Sequence, residues 1–575
     1  MDKKKLFISL GIVLLILGCV FVYYFVLRDD DNLSLNNKID TNIGATIEDD
    51  DIDWSKYESS NIVLNNENIT IKDAGVYYLS GSIDAGNIKI NTGGNVKLVL
   101  DNVTISNSSG PAIEIEKANI VVISTTNDSV NTLSDGSSYS SSYDDDVEGA
   151  IYSKDDLVLE GEGTLIINGN KGDGIVSKDN IKINSGTYKI TSSDDGIRGK
   201  DSVYIVTANM EINAGGDGIK STNESDSNLG YIKIINGTFN IVAVNDGIQA
   251  ESKLLIDDGT FNITTGGGAS NSSDKYGWGK WGNNSVSSDS AKGLKAGDNI
   301  VITNGFFELN TSDDAIHSNN YILISAGTYS ISSGDDGVHA DNDLIIDDGS
   351  INISKSYEGL EANNITINGG DISIVSSDDG INAAGGNDGS ANNRPGASPN
   401  MSYSSNSMIT INNGNIVITA SGDGIDSNGS IYVNGGTIYV NGPEDNGNGA
   451  LDYDGDFVIT NGEIIAIGSS GMAQGIGNNS TQYGMLVYLS NTYSGGTSIS
   501  IRDTSDNEII SYTSLKSFSS IVFSSDKLIK NNTYNIYIND DLCDSVTISS
   551  INTTSGNSSN MGMNMGGDPR RGPRR

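Results

Sequence analysis

The chain is poor in residues that stiffen, staple or titrate a protein: its 575 residues include 6 prolines, 2 cysteines, 2 histidines and 3 tryptophans. Cys19 lies in an apolar N-terminal segment and Cys543 near the other end, so no disulfide framework exists. Basic side chains are scarce as well. Lys and Arg number 34 against 74 Asp and Glu, a formal charge of −40, which excludes nucleic acid as a partner by repulsion and suits cation binding or solubility. Apolar residues make up 36% of the chain, and beyond the N-terminus no helical period competes with period-two alternation. One large globular core is therefore not expected, whereas a thin repeated core is.

What is plentiful is glycine, 70 residues of it, and it falls in a pattern. The stretch Ser192-Ser193-Asp194-Asp195-Gly196-Ile197-Arg198-Gly199 returns in varied form throughout, anchored on an apolar residue at 113, 151, 175, 197, 219, 248, 294, 316, 338, 360, 381, 425, 451 and 476. Six of the thirteen intervals are 21 or 22 residues, and the two longest, 46 and 44, contain the insertions Gly266 to Ser290 and Gly385 to Ser407. Between anchors runs Ile-x-Ile, a Gly step, then Thr-aromatic-x-Ile, as in Ile181 to Ile190. Alternation broken by glycine turns predicts about three short strands per repeat, too few residues for a crossover helix. The expected fold is therefore all-β, a parallel β-helix of about 22 residues per coil stacked at about 4.8 Å. The residue before each anchor is always Gly or Ala. Because Ala is acceptable there, lack of space and not a left-handed backbone angle is expected to set the rule. Tyr188, Met210, Phe239, Phe261, Phe307 and Tyr329 share one strand position and are expected to stack as core.

Residues 1–28 read as a membrane anchor: Lys3, Lys4 and Lys5 precede an apolar run from Leu6 to Leu27 long enough to span a bilayer, which places the remainder outside the cell membrane. Ile16-Leu17-Gly18-Cys19 also looks like a lipobox, so lipidation at Cys19 is the alternative. Residues 29–60 form an acidic linker, 61–480 the solenoid, 481–550 a small β domain capping its open end, and 551–575 a disordered tail ending in arginines.

Gly75 to Ile83, Val96 to Ile105, Ser109 to Ile113 and Asn131 to Gly136, followed by the Asp-Gly-Ile coils, resemble a bacterial surface family called carbohydrate-binding domain-containing proteins. The resemblance implies a right-handed β-helix akin to pectate lyases, calcium along it, and recognition of plant cell-wall polysaccharide, including acidic pectic chains.

Two places before the anchors stand Asp173, Asp195, Asp217, Asp246, Lys292, Asp314, Asp336, Glu358, Asp379 and Asp423. Asp before Gly also makes a good turn. Stacked carboxylates about 4.8 Å apart, however, repel by ~3.5 kcal/mol at an effective dielectric near 20 and by ~0.9 in water, so an unneutralised ladder is costly. Calcium, which takes six to eight oxygens, suits this geometry. Asp313, Asp314, Asp335 and Asp336 are the first candidate set and Asp194, Asp195 and Asp217 the second. One place after the anchors, Arg198, Lys220, Lys295, His317 and His339 are expected to point outward and hold uronate carboxylates, unless the row is merely a solvated face. Tyr276, Trp278 and Trp281 sit in the first insertion, otherwise Gly, Ser and Asn, where they offer flat faces to sugar rings or fold back over the solenoid.

The expected function is a monomeric, cell-surface, calcium-dependent polysaccharide-binding protein for acidic pectic or cellulosic chains. A polysaccharide lyase, with Lys295, Arg198 or Lys220 as base, is one alternative. A structural stalk or adhesin is the other.

Overall fold

The anchor residues pair one above the next without a slip. In the computed structural model Ile113 stands opposite Ile151, then Ile175, Ile197, Ile219, Ile248, Leu294, Ile316, Val338, Leu360, Ile381, Ile425 and Leu451, all in parallel register. The structure describes Ile39, Thr41, Ile43, Gly44, 46–49, 51–271, 290–383 and 407–557. The chain divides into Met1–Ile43 and Gly44–Arg575, and the β structure belongs to the second unit. The anchor expected in 1–28 and the tail beyond 557 lie outside the described residues, among which no helix is long and apolar enough to cross a membrane.

Each coil contributes three strands, as at Ile197–Gly199, Ser202–Ile205 and Asn209–Ala214. Each strand pairs with its equivalents one coil before and after. The third strand shows why the sequence folds so: Asn209–Ala214 alternates exposed and buried residues strictly, sending Met210, Ile212 and Ala214 inward. Phe239, Phe261, Phe307 and Tyr329 stack with ring centroids 4.7–4.8 Å apart and planes within 4°. This aromatic column is buried core, as expected. Both insertions leave the solenoid undisturbed, since Ile248 still pairs with Leu294 and Ile381 with Ile425.

Two kinds of glycine support the coil. A Cβ at Gly196, before an anchor, would stand 2.5 Å from the Gly218 carbonyl oxygen and 2.6 Å from Ile212 Cγ2, and its φ is not left-handed. Close approach of the next coil sets this position. Gly259, in the step before Thr260, instead has φ +141° and needs glycine for its backbone angle.

The anchor sheet starts earlier than the Gly/Ala rule signals, because Ile69 pairs with Ile88 and Ile88 with Ile113. At the other end Phe518–Ser524 lies antiparallel against both Glu463–Gly468, the third strand of its coil, and Gly484–Tyr493. That sheet edge is covered by a strand of reversed direction, which stops further parallel stacking. A four-stranded antiparallel sheet, Glu508–Thr513, Ser498–Asp503, Thr533–Ile538 and Asp541–Thr547, closes a second core with Ile465, Ile467 and Phe523.

Candidate functional site

From Asp173 to Asp336 the acids two places before the anchors form a buried, ordered ladder. One carboxylate oxygen of each accepts the backbone N–H of its equivalent in the next coil: Asp195 N–H donates to Asp173 Oδ1 (3.0 Å), Asp217 to Asp195 (2.8 Å), Asp246 to Asp217 (2.8 Å) and Lys292 to Asp246 (2.7 Å). The same link recurs from Asp336 to Asp314, Glu358 to Asp336 and Asp423 to Asp379. The Asp-Gly-anchor text is thus a hydrogen-bond device as well as a turn, which neutralises half of each carboxylate's accepting capacity.

The second oxygen meets the residue one place after an anchor. Arg198 Nε and Nη2 reach Asp173 Oδ2 at 2.6 and 2.5 Å, and Nη2 also reaches Glu148 at 3.0 Å. Lys220 Nζ lies 2.6 Å from Asp217 and 3.5 Å from Asp195; Lys295 Nζ lies 2.9 Å from Asp246. Burial works against the charge of Arg198 and Lys220, but these carboxylates outweigh it and raise both above their ordinary values. In the ladder itself, Lys292 Nζ sits 2.5 Å from Asp314 Oδ2 and 3.4 Å from Asp313. Burial would push Asp314 up, yet Lys292 and His317 hold it well below the usual carboxylate range. In these coils the repulsion that calls for a cation is answered from within the chain.

The two histidines continue the outward row of Lys295 but are buried on it, which corrects the expectation that they stand open to a ligand. His317 is 3% and His339 0% exposed, with rings stacked 4.8 Å apart. His317 Nδ1 lies 2.8 Å from Asp314 Oδ2; His339 Nδ1 lies 2.6 Å from Glu361 and 3.3 Å from Asp336, and its Nε2 3.3 Å from Asp341. Three carboxylates surround His339, and Asp314 and the Asn319 amide oxygen take the two ring nitrogens of His317, so neither histidine presents a free edge to a ligand. Arg198, Lys220, Gln249 and Lys295, by contrast, stay partly exposed in consecutive coils.

Of the candidate calcium ligands, Asp313, Asp314 and Asp335 bring carboxylate oxygens within 4.8 Å of one another, whereas Asp336 groups with His339 and Glu361. Asp194 and Asp195 group with Asp173, while Asp217 takes Lys220. Tyr276, Trp278 and Trp281 lie outside the described residues. A third acidic group, Asp379, Asp423 and Asp426, was not singled out from sequence. Burial and the neighbouring acids push Asp379 up to about 8, Asp426 to about 7 and Asp423 to about 6. Its signal was present: Asp426 stands one place after its anchor, where three earlier coils carry Arg198, Lys220 and Lys295.

Fold and ladder define a parallel β-helix with a polar, ion-paired lateral face repeated coil by coil. A family model described as "Carbohydrate-binding domain-containing protein" matches residues 65–337 and 335–380, more than half of the chain, and the chain belongs to that family. A relative of the same description from Acetivibrio thermocellus is 30% identical over 131 residues, 22% of this chain and 46% of the relative; the chain thus spans about half the length of that relative. A solved structure titled as the polysaccharide lyase-like protein from C. thermocellum, gadolinium derivative, is similar at 30% identity and TM-score 0.35, covering 36% of this chain and 91% of that one.

Proposed function

We propose that the chain is a polysaccharide-binding protein of the outer cell surface, anchored through residues 1–28 or lipidated at Cys19, and that it takes acidic pectic or cellulosic chains with the help of calcium. Family membership supports binding of polysaccharide in general terms. The observation that carries the rest is the row Arg198, Lys220, Gln249 and Lys295, polar and partly exposed at one residue per coil. A repeated row with a step of about 4.8 Å matches a linear polymer better than a compact ligand, which asks for a closed, largely apolar pocket. The aromatic residues of the first insertion enter the chain between Gln249 and Lys295 and supply stacking faces in this reading.

Binding is favoured over cleavage because a lyase needs a neutral base. Arg198 and Lys220 are locked as cations by the ladder, and Lys295 Nζ donates to Asp246 and Ser290. Calcium would act at the exposed Asp194 beside Asp173 and Asp195, bridging protein and uronate carboxylates. The test incubates the full chain with polygalacturonate or cellulose, in calcium or in chelator, and follows both retention on the polymer and ultraviolet absorbance of unsaturated product. Calcium-dependent retention without product is expected. New absorbance would make it a lyase, and no retention on either polymer would leave the stalk reading.

A further inference from the structure

The row of residues one place after the anchors does not begin at Arg198. Glu114, Tyr152 and Val176 precede it in the same register, one coil apart. All three are buried, whereas Arg198, Lys220, Gln249 and Lys295 of the next four coils are partly exposed. The cover is the loop 136–149, which makes the interval from Ile113 to Ile151 longer than one coil. Tyr139, Tyr143 and Val147 of the loop pack with Tyr152 and Val176, and the Tyr143 hydroxyl donates to Glu114 Oε2 at 3.3 Å. Its five serines and its three consecutive aspartates, 144–146, are exposed. A segment held by so few buried side chains opens at low cost.

Glu148, at the end of this loop, meets the first open cation of the row. Its Oε1 lies 3.0 Å from Arg198 Nη2, and Asp173 Oδ2 takes the same guanidinium. The two carboxylates are not equivalent. That of Asp173 is 0% exposed and also accepts the Asp195 N–H, so it is fixed. That of Glu148 is 32% exposed, and an ion pair so open to water contributes little to stability. Glu148 is therefore the exchangeable partner of Arg198.

A second observation bears on the closed loop. Tyr152 is one of the residues it buries, and the Tyr152 hydroxyl has no hydrogen-bond partner. Burial, and after it Asp146 of the loop, push this hydroxyl up to about 12, so the loop stands beside it. An unpaired buried hydroxyl weakens the state that buries it.

We propose, on the binding function given above, that the loop 136–149 is a displaceable end-stop of the polysaccharide row, in which Glu148 keeps on Arg198 the place of a uronate carboxylate. An acidic chain lying on the row brings its own carboxylate to Arg198, releases Glu148 and opens the loop. A neutral cellulosic chain has no charge to exchange with Glu148 and stops at the closed loop. Opening also uncovers Tyr152 and Val176, an aromatic and apolar continuation of the row against which sugar rings pack. The end-stop thus selects acidic over neutral chains at the Arg198 end.

The experiment compares the full chain with its Glu148→Gln variant, in calcium, by retention on polygalacturonate and on cellulose. Hydrogen exchange of the loop amides is followed with soluble oligogalacturonate and with cello-oligosaccharide. In wild type, exchange across 137–147 is expected to quicken with oligogalacturonate and to stay unchanged with cello-oligosaccharide. Glu148→Gln removes the competing charge and is expected to bind polygalacturonate about two- to fivefold more tightly, the size of a surface ion pair, with retention on cellulose unchanged. Equal affinity of both proteins for polygalacturonate, or loop exchange that oligogalacturonate does not quicken, overturns the proposal. Should Glu148→Gln fail to fold, Tyr143→Phe decides, because it frees the loop from Glu114 without touching Arg198: faster loop exchange and tighter binding of polygalacturonate are expected, and wild-type values of both are the contrary result. Wild type retained on neither polymer refutes the binding function and the end-stop with it; wild type retained on polygalacturonate without a gain for Glu148→Gln refutes the end-stop alone.

Discussion

Lys292→Met is expected to destabilise the β-helix by about 3–5 kcal/mol, the usual cost of removing one partner from a buried ion pair. Lys292 is the one cation within the ladder row and is 5% exposed; its Nζ lies 2.5 Å from Asp314 Oδ2, on a residue that is 0% exposed. Methionine retains the apolar stem but leaves Asp314 charged in a dry site, with His317 Nδ1 at 2.8 Å and the Asp336 N–H at 3.0 Å as its partners and no full cation of the ladder beside it. Asp314→Asn alone leaves the ammonium with Asp313 at 3.4 Å and is expected to cost somewhat less. The double variant removes both charges and is expected to recover most of the loss, because a matched neutral pair has no uncompensated ion. Thermal and denaturant unfolding of the four proteins checks this. Single variants within about 1 kcal/mol of wild type, as for a surface pair, would show that solvent reaches the ladder freely.

The second large effect concerns pH. Burial pushes His339 down, but hydrogen bonds with Asp336, Asp341 and Glu361 outweigh it and hold the imidazole well above 6.5. A base whose folded value is raised contributes stability that is complete below its unfolded value, here 6.5, and is lost as pH rises through the folded value. Asp336 works in the same direction: burial raises it well above 3.8, so charging it in the fold costs stability as pH climbs. Wild type is therefore expected to lose unfolding temperature steadily as pH is raised from 6.5, the reverse of a protein held by lowered carboxylates. His339→Gln, which keeps polarity but cannot carry the proton, is expected to be less stable at acid pH and to show a flatter profile. Parallel profiles would place the alkaline slope elsewhere.

The repeat was readable because stacking leaves a direct trace in sequence: anchors such as Ile197 and Leu294 must recur wherever the core recurs, and Gly196 must stay small because the Gly218 carbonyl lies against it. The insertions were readable for the same reason, since they lengthen an interval without shifting its register. The first coils fall within the solenoid expected from residue 61, but their anchors do not join the series, because Asn87 and Asn68 precede Ile88 and Ile69, and Asn87 N–H bonds Asn68 Oδ1 in a local variant of the ladder. Acid position was legible, but its chemistry was not. Whether Asp195 calls for calcium or takes Lys220 depends on a side chain arriving from the neighbouring coil, information that a row read by itself does not contain. Alternation likewise assigns His317 and His339 to the outward side, while the burial of His339 depends on Glu361 of the next coil closing over it together with the local Asp336 and Asp341.

The claim that the lateral face of these coils is the polysaccharide surface is tested most directly with Gln249→Trp, assayed as the full chain on immobilised polygalacturonate and cellulose in calcium. Gln249 lies between Lys220 and Lys295 on the face and belongs to none of the ladder ion pairs, so an indole there obstructs the row without unpairing a charge. The comparison is Asn240→Trp, an exposed position on the third strand of the preceding coil. Retention that is lost or strongly altered for Gln249→Trp and unchanged for Asn240→Trp is the expected result; equal retention of both variants and wild type would contradict the account.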